Sequence, residues 1–261
     1  MNEERIAIVG YGIVGKCMAK ILGIPRKDCY DIGDKKSWGY EYYILCLPSP
    51  TAYRDIPYLS SEYKIQDLGA IESWLVDFRQ HDRKATVIIR STVLPGTTKK
   101  YSKQFKLKIV HVPEFLSEKT ALKDEKNPEF LVIGSSDVKL ANKVLKIFLK
   151  GCTPKKIIRT DPTTAELIKY TMNSFFGLKV IFSNQIWDVA RIAKADYTKV
   201  TEALESHKWG SKNGWKVLDK GYRGYKGSCL PKDIKAFISA FDLPLLSEVD
   251  RINGELIKDK K

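Results

Sequence analysis

The sequence is poor in the residues that build metal sites and disulfide frameworks. Its 261 residues include three histidines (His81, His111 and His207) and five cysteines, an odd number with no Cys-x-x-Cys spacing. Zinc sites and disulfide scaffolds use paired cysteines or histidines at short spacings. We therefore expect no metal site and no disulfide framework, and most of the cysteines should be small buried side chains.

The chain also lacks a long apolar run and a basic leader. No run approaches the roughly 20 apolar residues that a membrane-spanning helix needs. Segment 1–5 is acidic, whereas a signal peptide begins with basic residues. The hydrophobic fraction of 43% and the charged fraction of 29% are those of an ordinary globular protein. We expect a cytoplasmic protein without a membrane partner.

Acidic residues are outnumbered, and the net charge is +14. Such a charge is compatible with nucleic acid, a membrane surface or an anionic small substrate. The lysines are spread along the chain, with local density at 99–108 and 258–261. We interpret them as a solvated basic face in preference to a nucleic-acid interface, which leaves the charge itself without a full explanation.

Short β-branched runs alternate with helical stretches over residues 1–160. The runs are 6–9, 29–32, 43–47, 86–89, 109–112, 130–133 and 156–159, and the helical stretches are 15–22, 65–78 and 138–148. Alternating strands and helices are typical of a parallel sheet covered on both faces. The pattern predicts an α/β fold in which 1–160 form a Rossmann-like doubly wound parallel sheet.

The second part of the chain, 161–261, has a helical pattern throughout. Asp161 and Pro162 supply an N-cap and a first-turn proline, and 163–195 contain no helix breaker except Gly177. Further helices are predicted at 197–208, 231–241 and 245–258, with an irregular loop over 209–227. These features predict an all-α domain headed by a long helix.

A glycine turn follows the first predicted strand. Gly10 permits a tight turn, Gly12 lets the backbone approach a pyrophosphate, and Gly15 lets the next helix pack against the sheet. Asp31 lies 21 positions after Gly10, near the spacing of the acid that binds the ribose of NAD. We predict NAD binding by this segment. The cofactor residues are Gly10, Gly12, Ile13, Val14, Gly15 and Asp31.

Two further groups of residues could carry chemistry. Lys169 and Asn173 are four residues apart on the long helix, so they share a face and could stabilise an oxyanion. Cys229 precedes Lys232 and Asp233 and could serve as a thiolate nucleophile. The alternative interpretations are an exposed helix face, a buried thiol, and an acid that stabilises a helix N-terminus.

Five ordered motifs together point to one family. They are Cys46-Leu47-Pro48-Ser49-Pro50-Thr51, the Ser-Thr-Val turn 91–98, Pro113-Glu114-Phe115-Leu116-Ser117-Glu118, the segment 166–173, and Gly227-Ser228-Cys229 with Lys232-Asp233. The chain resembles the nucleotide-sugar 6-dehydrogenases, which include the UDP-glucose and GDP-mannose enzymes, and is most similar to the UDP-glucose enzymes. The resemblance covers most of the sequence.

The resemblance implies oxidation of a primary alcohol to a carboxylate, with two hydride transfers to NAD. Cys229 would form a thiohemiacetal and then a thioester. Lys169 and Asn173 would stabilise oxyanions, Asp233 and Thr92 would position water, and Glu118 would act as a base. Implied cofactor contacts are Pro48, Thr92 and Lys232. Implied substrate contacts are Glu114, Phe115, Leu116, Lys169, Asn173, Tyr225 and Gly227.

The resemblance further implies UDP-glucose as the substrate, a role in polysaccharide biosynthesis and a homodimer formed through helix 161–195. Family members carry a further C-terminal nucleotide-binding domain, which we expect this chain to lack. A partner could supply it, or Lys226 and Arg223 could reach the substrate phosphates. Three alternatives stay open: a degenerate NAD- or nucleotide-binding protein, a one-step β-hydroxyacid dehydrogenase, and a nucleic-acid-associated protein.

Overall fold

The computed structural model describes residues 4–54, 63–208, 210, 213–218 and 221–258. The chain divides into two compact units. The first comprises 1–52 and 66–169, and the second comprises 53–65 and 170–261. We predicted a boundary at residue 160, just before the long helix, whereas the units divide within that helix. The reason is local, because Ala165 lies against Gly134 of the sheet, where an added Cβ would come within 2.5 Å of its side chain.

A seven-stranded sheet forms the centre of the first unit. Its strands are β1 (Ile6–Val9), β2 (Cys29–Tyr30), β3 (Tyr42–Leu45), β6 (Thr86–Ile89), β7 (Lys108–His111), β8 (Leu131–Gly134) and β9 (Ile157–Thr160). A separate pair consists of β4 (Thr51–Arg54) and β5 (Tyr63–Gln66). The order in the sheet is β2-β1-β3-β6-β7-β8-β9, so β1 lies where the chain switches from one half of the sheet to the other. Ligands of open α/β sheets bind at the carboxyl ends of strands at such a switch point.

One strand pair departs from the predicted parallel arrangement. Neighbours pair in parallel at five places, but β7 and β8 are antiparallel, with His111 opposite Gly134. The connection between them contains a 3-10 turn (Glu118–Thr120) and the short helix α4 (Ala121–Lys126), which spans about 9 Å. A parallel neighbour normally needs a full crossover helix. The α/β fold is confirmed, with this antiparallel pair as a correction.

Helices cover both faces of the sheet. They are α1 (Ile13–Leu22), α2 (Gly69–His81), α3 (Thr97–Phe105), α4 and α5 (Val138–Phe148). The predicted helix at 65–78 begins later, because residues 63–66 form β5. Helix α3 was not predicted, since Tyr101 and Phe105 are its only large buried side chains. Two apolar residues in nine give little periodicity.

Consecutive residues of one strand enter two different cores. Tyr43 and Leu45 pack with Trp74 on one face of the sheet, whereas Ile44 packs with Phe148 on the other. Side chains alternate between the faces of a strand, and a sheet covered on both faces needs apolar residues at every position. This explains why the central strands carry continuous apolar runs.

The second unit contains the rest of the long helix and three further helices within the described residues. They are α6 (Pro162–Ile192), α7 (Tyr197–Ser206), α8 (Leu230–Ala240) and α9 (Pro244–Leu256). Their core consists of Ile181, Tyr225, Ile234 and Val249, with partly buried apolar neighbours. The irregular loop predicted for 209–227 is confirmed where it is described, over 213–218 and 221–227.

Asp161 caps α6 as its sequence position predicts. Its Oδ1 accepts from the backbone N of Thr163 at 3.0 Å, and its Oδ2 accepts from the hydroxyl of Thr164 at 2.5 Å. Lys99 Nζ lies 3.1 Å from the same carboxylate. The Thr164 hydroxyl first, and Lys99 further, lower the pKa of Asp161 to about 2 despite some desolvation.

Replacing Asp161 with Ala should lower the free energy of unfolding at pH 7 by about 1 kcal/mol. The folded pKa lies below the unfolded value of 3.8, so the contribution of the charge is complete above about pH 4 and is lost as the pH falls towards 2. Urea titrations at pH 7 and pH 3 measure this, with Asp161→Asn as a control that keeps a capping oxygen without the charge. An Ala penalty that does not change between the two pH values would contradict the assignment.

Candidate active site

The glycine turn after β1 has the geometry that a bound pyrophosphate requires. Gly10 has φ of +92°, and a Cβ there would come within 2.5 Å of the carbonyl oxygen of Cys46. A Cβ on Gly15 would come within 1.9 Å of the Gly10 oxygen, so both positions exclude larger residues. At Gly12, the N-cap of α1, no atom lies within 4 Å of a Cβ position. The open space in front of the helix N-terminus fits a phosphate group.

The other predicted cofactor residues of this segment surround the turn. Ile13 is exposed and Val14 is half-buried in the first turn of α1. The backbone N of Gly10 donates to Tyr30 O at 2.8 Å, which places Asp31 beside the turn. Asp31 is exposed, and its Oδ1 accepts from its neighbour Ile32 at 3.0 Å. These residues fit the dinucleotide, and each individual contact with it stays a prediction.

Pro48 and Thr92 lie at the same carboxyl edge of the sheet, after β3 and β6. The hydroxyl of Ser91 donates to Leu47 O at 2.7 Å and joins these two strand ends. Gln66 Nε2 donates to Thr92 O at 2.7 Å, a contact that the sequence analysis missed because the two residues are far apart in the chain. Thr92 is buried at this edge.

Glu114 and Lys169 form a nearly buried ion pair in the first unit. Lys169 Nζ lies 2.9 Å from Glu114 Oε1, and the two side chains are 6% and 15% exposed, respectively. The backbone N of Leu116 donates to Glu114 Oε2 at 2.8 Å, and the ammonium lies 5.4 Å from the Phe115 ring centroid. Burial alone would raise the pKa of Glu114, but Lys169 and the Leu116 hydrogen bond outweigh it, so the pKa is lowered. The carboxyl group is therefore ionised near neutral pH.

The structure thus separates two acids of the same motif. Glu118 is exposed in the short turn Glu118–Thr120, whereas Glu114 is held against Lys169. We predicted Glu118 as the base and Glu114 as a substrate contact. Neither observation tests these roles, so both stay predictions.

Asp233 is the centre of a polar cluster in the second unit. It lies in the first turn of α8 and is only 1% exposed. Asn173 Nδ2 donates to Asp233 Oδ2 at 2.6 Å, and Lys232 Nζ donates to Oδ1 at 2.5 Å. Lys232, predicted as a cofactor contact, is thus held by its neighbour Asp233. A buried carboxylate with two such partners fixes α8 against α6.

Gly177 allows these two helices to approach each other. It lies one turn after Asn173, and a Cβ at this position would come within 2.5 Å of Ile234 Cδ1. Ile234 is the residue after Asp233 and is fully buried. The one helix breaker in the long helical pattern therefore lies where a side chain of α8 packs directly against α6.

Cys229 is the exposed member of the five free cysteines. Its Sγ lies 3.6 Å from the Ser228 hydroxyl, and α8 begins at the next residue. The preceding Gly227 has φ of +95°, a conformation that favours glycine.

The other four thiols are poor nucleophiles because burial disfavours their ionised form. Desolvation raises the pKa of Cys46 to about 12 and the pKa values of Cys29 and Cys152 to about 11. The pKa of Cys17 is also raised, chiefly by burial.

Two residues shortly before Cys229, Arg223 and Tyr225, are buried. Tyr225 is buried in the core of the second unit, and its implied contact with a substrate stays a prediction. Arg223 is also buried and pairs with Asp188 on α6, which corrects the hypothesis that it reaches substrate phosphates. Lys226 is exposed, with its ammonium 4.6 Å from the Tyr222 ring centroid.

Comparison with known proteins identifies the family. The NAD binding domain of the UDP-glucose/GDP-mannose dehydrogenase family matches residues 34–150, and the central domain of that family matches residues 163–255. The chain belongs to the UDP-glucose/GDP-mannose dehydrogenase family. The resemblance drawn from the five motifs is confirmed, and so is NAD as the cofactor of its first domain.

Curated relatives within this dehydrogenase family act on different sugars. GDP-mannose 6-dehydrogenase of Pseudomonas aeruginosa is 33% identical over 215 residues, covering 74% of this chain and 48% of the relative. UDP-glucose 6-dehydrogenase YwqF of Bacillus subtilis is 32% identical over 189 residues, covering 67% and 42%. The chain therefore spans about half the length of the curated relatives that it matches.

Solved structures of nucleotide-sugar dehydrogenases share the fold. A UDP-glucose dehydrogenase from Pyrobaculum islandicum has a TM-score of 0.77 at 23% identity, covering 97% of this chain and 68% of that one. A UDP-D-ManNAc dehydrogenase from Pyrococcus horikoshii has a TM-score of 0.79 at 22% identity with the same coverages. In the part of the chain that the structure describes, no helix combines the length and apolarity needed to span a membrane.

Alkylation should distinguish Cys229 from the other four cysteines. Iodoacetamide should label Cys229 in the folded protein within minutes, whereas the buried thiols should react only after unfolding, because alkylation needs an accessible thiolate. Peptide mass spectrometry measures the labelling, with Cys229→Ser as the control. Native labelling at a second cysteine, or protection of Cys229, would contradict the placement.

Proposed function

We propose that this chain oxidises the C6 primary alcohol of a nucleotide sugar, UDP-glucose, to the carboxylate. The observation that carries the proposal is an exposed thiol, Cys229, at the start of α8 next to the buried Asp233 cluster. Membership of a dehydrogenase family with an NAD-binding domain supports the redox chemistry. NAD, when bound, accepts a hydride in each of two oxidations.

Cys229 takes part after the first oxidation, from the aldehyde to the release of the carboxylate. Its thiolate adds to the C6 aldehyde, which forms a carbon–sulfur bond and, after protonation of the oxygen, a thiohemiacetal. Loss of hydride and a proton converts this adduct into a thioester. Water then attacks the thioester carbon, the carbon–sulfur bond breaks, and the carboxylate and the free thiol are released. Cys229 is exposed, whereas Cys17, Cys29 and Cys152 are buried and Cys46 is half-buried, which supports this assignment.

Lys169 is proposed to stabilise negative charge on the substrate oxygen, with Glu114 as its ion-pair partner. An ammonium fixed by a carboxylate and an aromatic ring is a preorganised donor for an oxyanion at C6. Glu114 has a lowered pKa, so it is ionised near neutral pH and keeps the ammonium in place.

Asn173, Asp233 and Thr92 are proposed to orient the substrate and water. The Asn173 amide donates to Asp233, which fixes the direction of its remaining N–H and of its carbonyl oxygen. Thr92 lies after β6 at the carboxyl edge of the sheet, where its hydroxyl can hold a water. Asp233 accepts two hydrogen bonds and keeps the amide in place.

We further propose that the chain forms a homodimer through α6. The helix exposes large apolar side chains at positions separated by three, seven and seven residues, a spacing that puts them on one face. They are Met172, Phe175, Phe182 and Val189, with exposures of 45 to 58%. Exposed apolar stripes of this length mark protein interfaces, and a C2 dimer buries the same stripe from both copies.

Counting NADH per sugar consumed tests the reaction. We expect two NADH per UDP-glucose, because the thiol carries the aldehyde into a second oxidation. UDP-N-acetylmannosamine and GDP-mannose are assayed in parallel to test the sugar and the base. Cys229→Ser should form at most one NADH per sugar, since a hydroxyl is a much weaker nucleophile than a thiolate.

The outcomes of that assay separate the alternatives. One NADH per sugar in the unaltered protein would indicate a single-step dehydrogenase. No NADH with any of the three sugars would indicate a nucleotide-binding protein without turnover. Full two-step oxidation by Cys229→Ser would remove the thiol from the mechanism.

Light scattering tests the dimer. Phe182→Glu should shift the protein from a dimer towards a monomer, because a carboxylate would be buried without a partner at the interface. Leu245→Glu, at another exposed apolar position, serves as the control and should leave the mass unchanged. A protein that is monomeric without any substitution would overturn the proposal.

A further inference from the structure

Residues 223–225 precede the exposed segment 226–229, which ends at Cys229. Side chains from two helices hold these three residues in place. Residues 223–225 have no regular secondary structure, yet Arg223 and Tyr225 are buried. Irregular backbone that is buried must find hydrogen-bond partners outside any sheet or helix. Here the partners are Asn253 on α9 and Asn184 on α6.

Asn253 holds Tyr225 at both backbone groups. Its Oδ1 accepts from the backbone N of Tyr225 at 2.7 Å, and its Nδ2 donates to Tyr225 O at 3.1 Å. Asn253 is itself buried. Gly224 has φ of +70°, and a Cβ there would come within 2.4 Å of Asn253 Oδ1, so the clamp requires glycine at this position.

Arg223 makes a second attachment, to α6. Its guanidinium pairs with Asp188 and lies 5.2 Å from the Trp187 ring centroid. Asn184 Oδ1 accepts from Arg223 Nε and from the backbone N of Gly224, each at 3.3 Å. The arginine is therefore a structural anchor of the loop.

These attachments define one end of a short span that carries the thiol. Cys229 follows Tyr225 by four residues, and residues 226–229 are exposed. At its other end the span enters α8, which the buried carboxylate of Asp233 holds against α6. Four exposed residues between two fixed ends have little conformational freedom, and small displacements of a reacting group cost large factors in rate.

We propose that Asn253 and Arg223 are positioning residues for Cys229, acting through the clamped backbone of Gly224 and Tyr225. Their effect on turnover rests on the proposed function. Their effect on the loop does not. The contacts described above join both residues to the clamp, so their loss should lower kcat without changing NAD binding, which belongs to the first unit.

The test uses graded substitutions in the full chain. Asn253→Leu removes both hydrogen bonds at similar size, and Asn253→Asp keeps the acceptor for Tyr225 N but loses the donor to Tyr225 O. Arg223→Met provides a second route to the same loss if Asn253→Leu does not fold. Ser247→Ala, at an exposed position on α9, is the matched control.

Amide exchange, NADH formation and iodoacetamide labelling at Cys229 are measured in each variant. Amide hydrogen exchange should become about tenfold faster at 224 and 225 in Asn253→Leu, less so in Asn253→Asp, and should be unchanged in the control. The kcat for NADH formation should fall about tenfold in Asn253→Leu and less in Asn253→Asp, and the KM for NAD should not change.

The proposal is overturned if exchange accelerates at 224 and 225 while the rate of iodoacetamide labelling at Cys229 does not change, because the clamp would then not reach the thiol. It is also overturned if Asn253→Leu and Arg223→Met lower thermal stability but leave kcat of the folded protein unchanged. Absence of NADH in the unaltered chain would reject the proposed function, and the exchange pattern and the labelling rate would then decide whether the clamp positions the loop.

Discussion

The second unit depends on one buried carboxylate. Asp233 is almost completely removed from water, and an unpaired charge in that environment would cost several kcal/mol. Asn173 and Lys232 remove that cost by hydrogen bonding to its two oxygens. Because Asn173 belongs to α6 and Asp233 to α8, the same interaction joins the two helices one turn after Cys229, which directly precedes α8.

The two units present different functional groups. The first presents open backbone at Gly12 in front of a helix N-terminus, and it holds Glu114 and Lys169 as a nearly buried ion pair. A fixed ion pair can stabilise developing charge without reorganising. The second unit exposes one thiol on a loop that is attached at both ends.

Much of the fold could be predicted because its determinants are local. The glycine turn at Gly10, the N-cap at Asp161 and the helical pattern that follows depend on neighbours within a few residues. The Glu114–Lys169 pair joins residues 55 positions apart, and the pattern of charges does not reveal that distance in space. The burial of Arg223 could not be predicted for the same reason. Its partner Asp188 is distant in the sequence, and the sequence does not show that the two residues are close in space.

The most direct test of the central claim is the mass of the enzyme during turnover. A reaction with nucleotide sugar and NAD is quenched in acid and digested, and the cysteine peptides are weighed. We predict a mass added to the Cys229 peptide that equals the sugar acid joined as a thioester. Oxidation to the carboxylate with no adduct at Cys229, or with the adduct on another cysteine, would contradict the account.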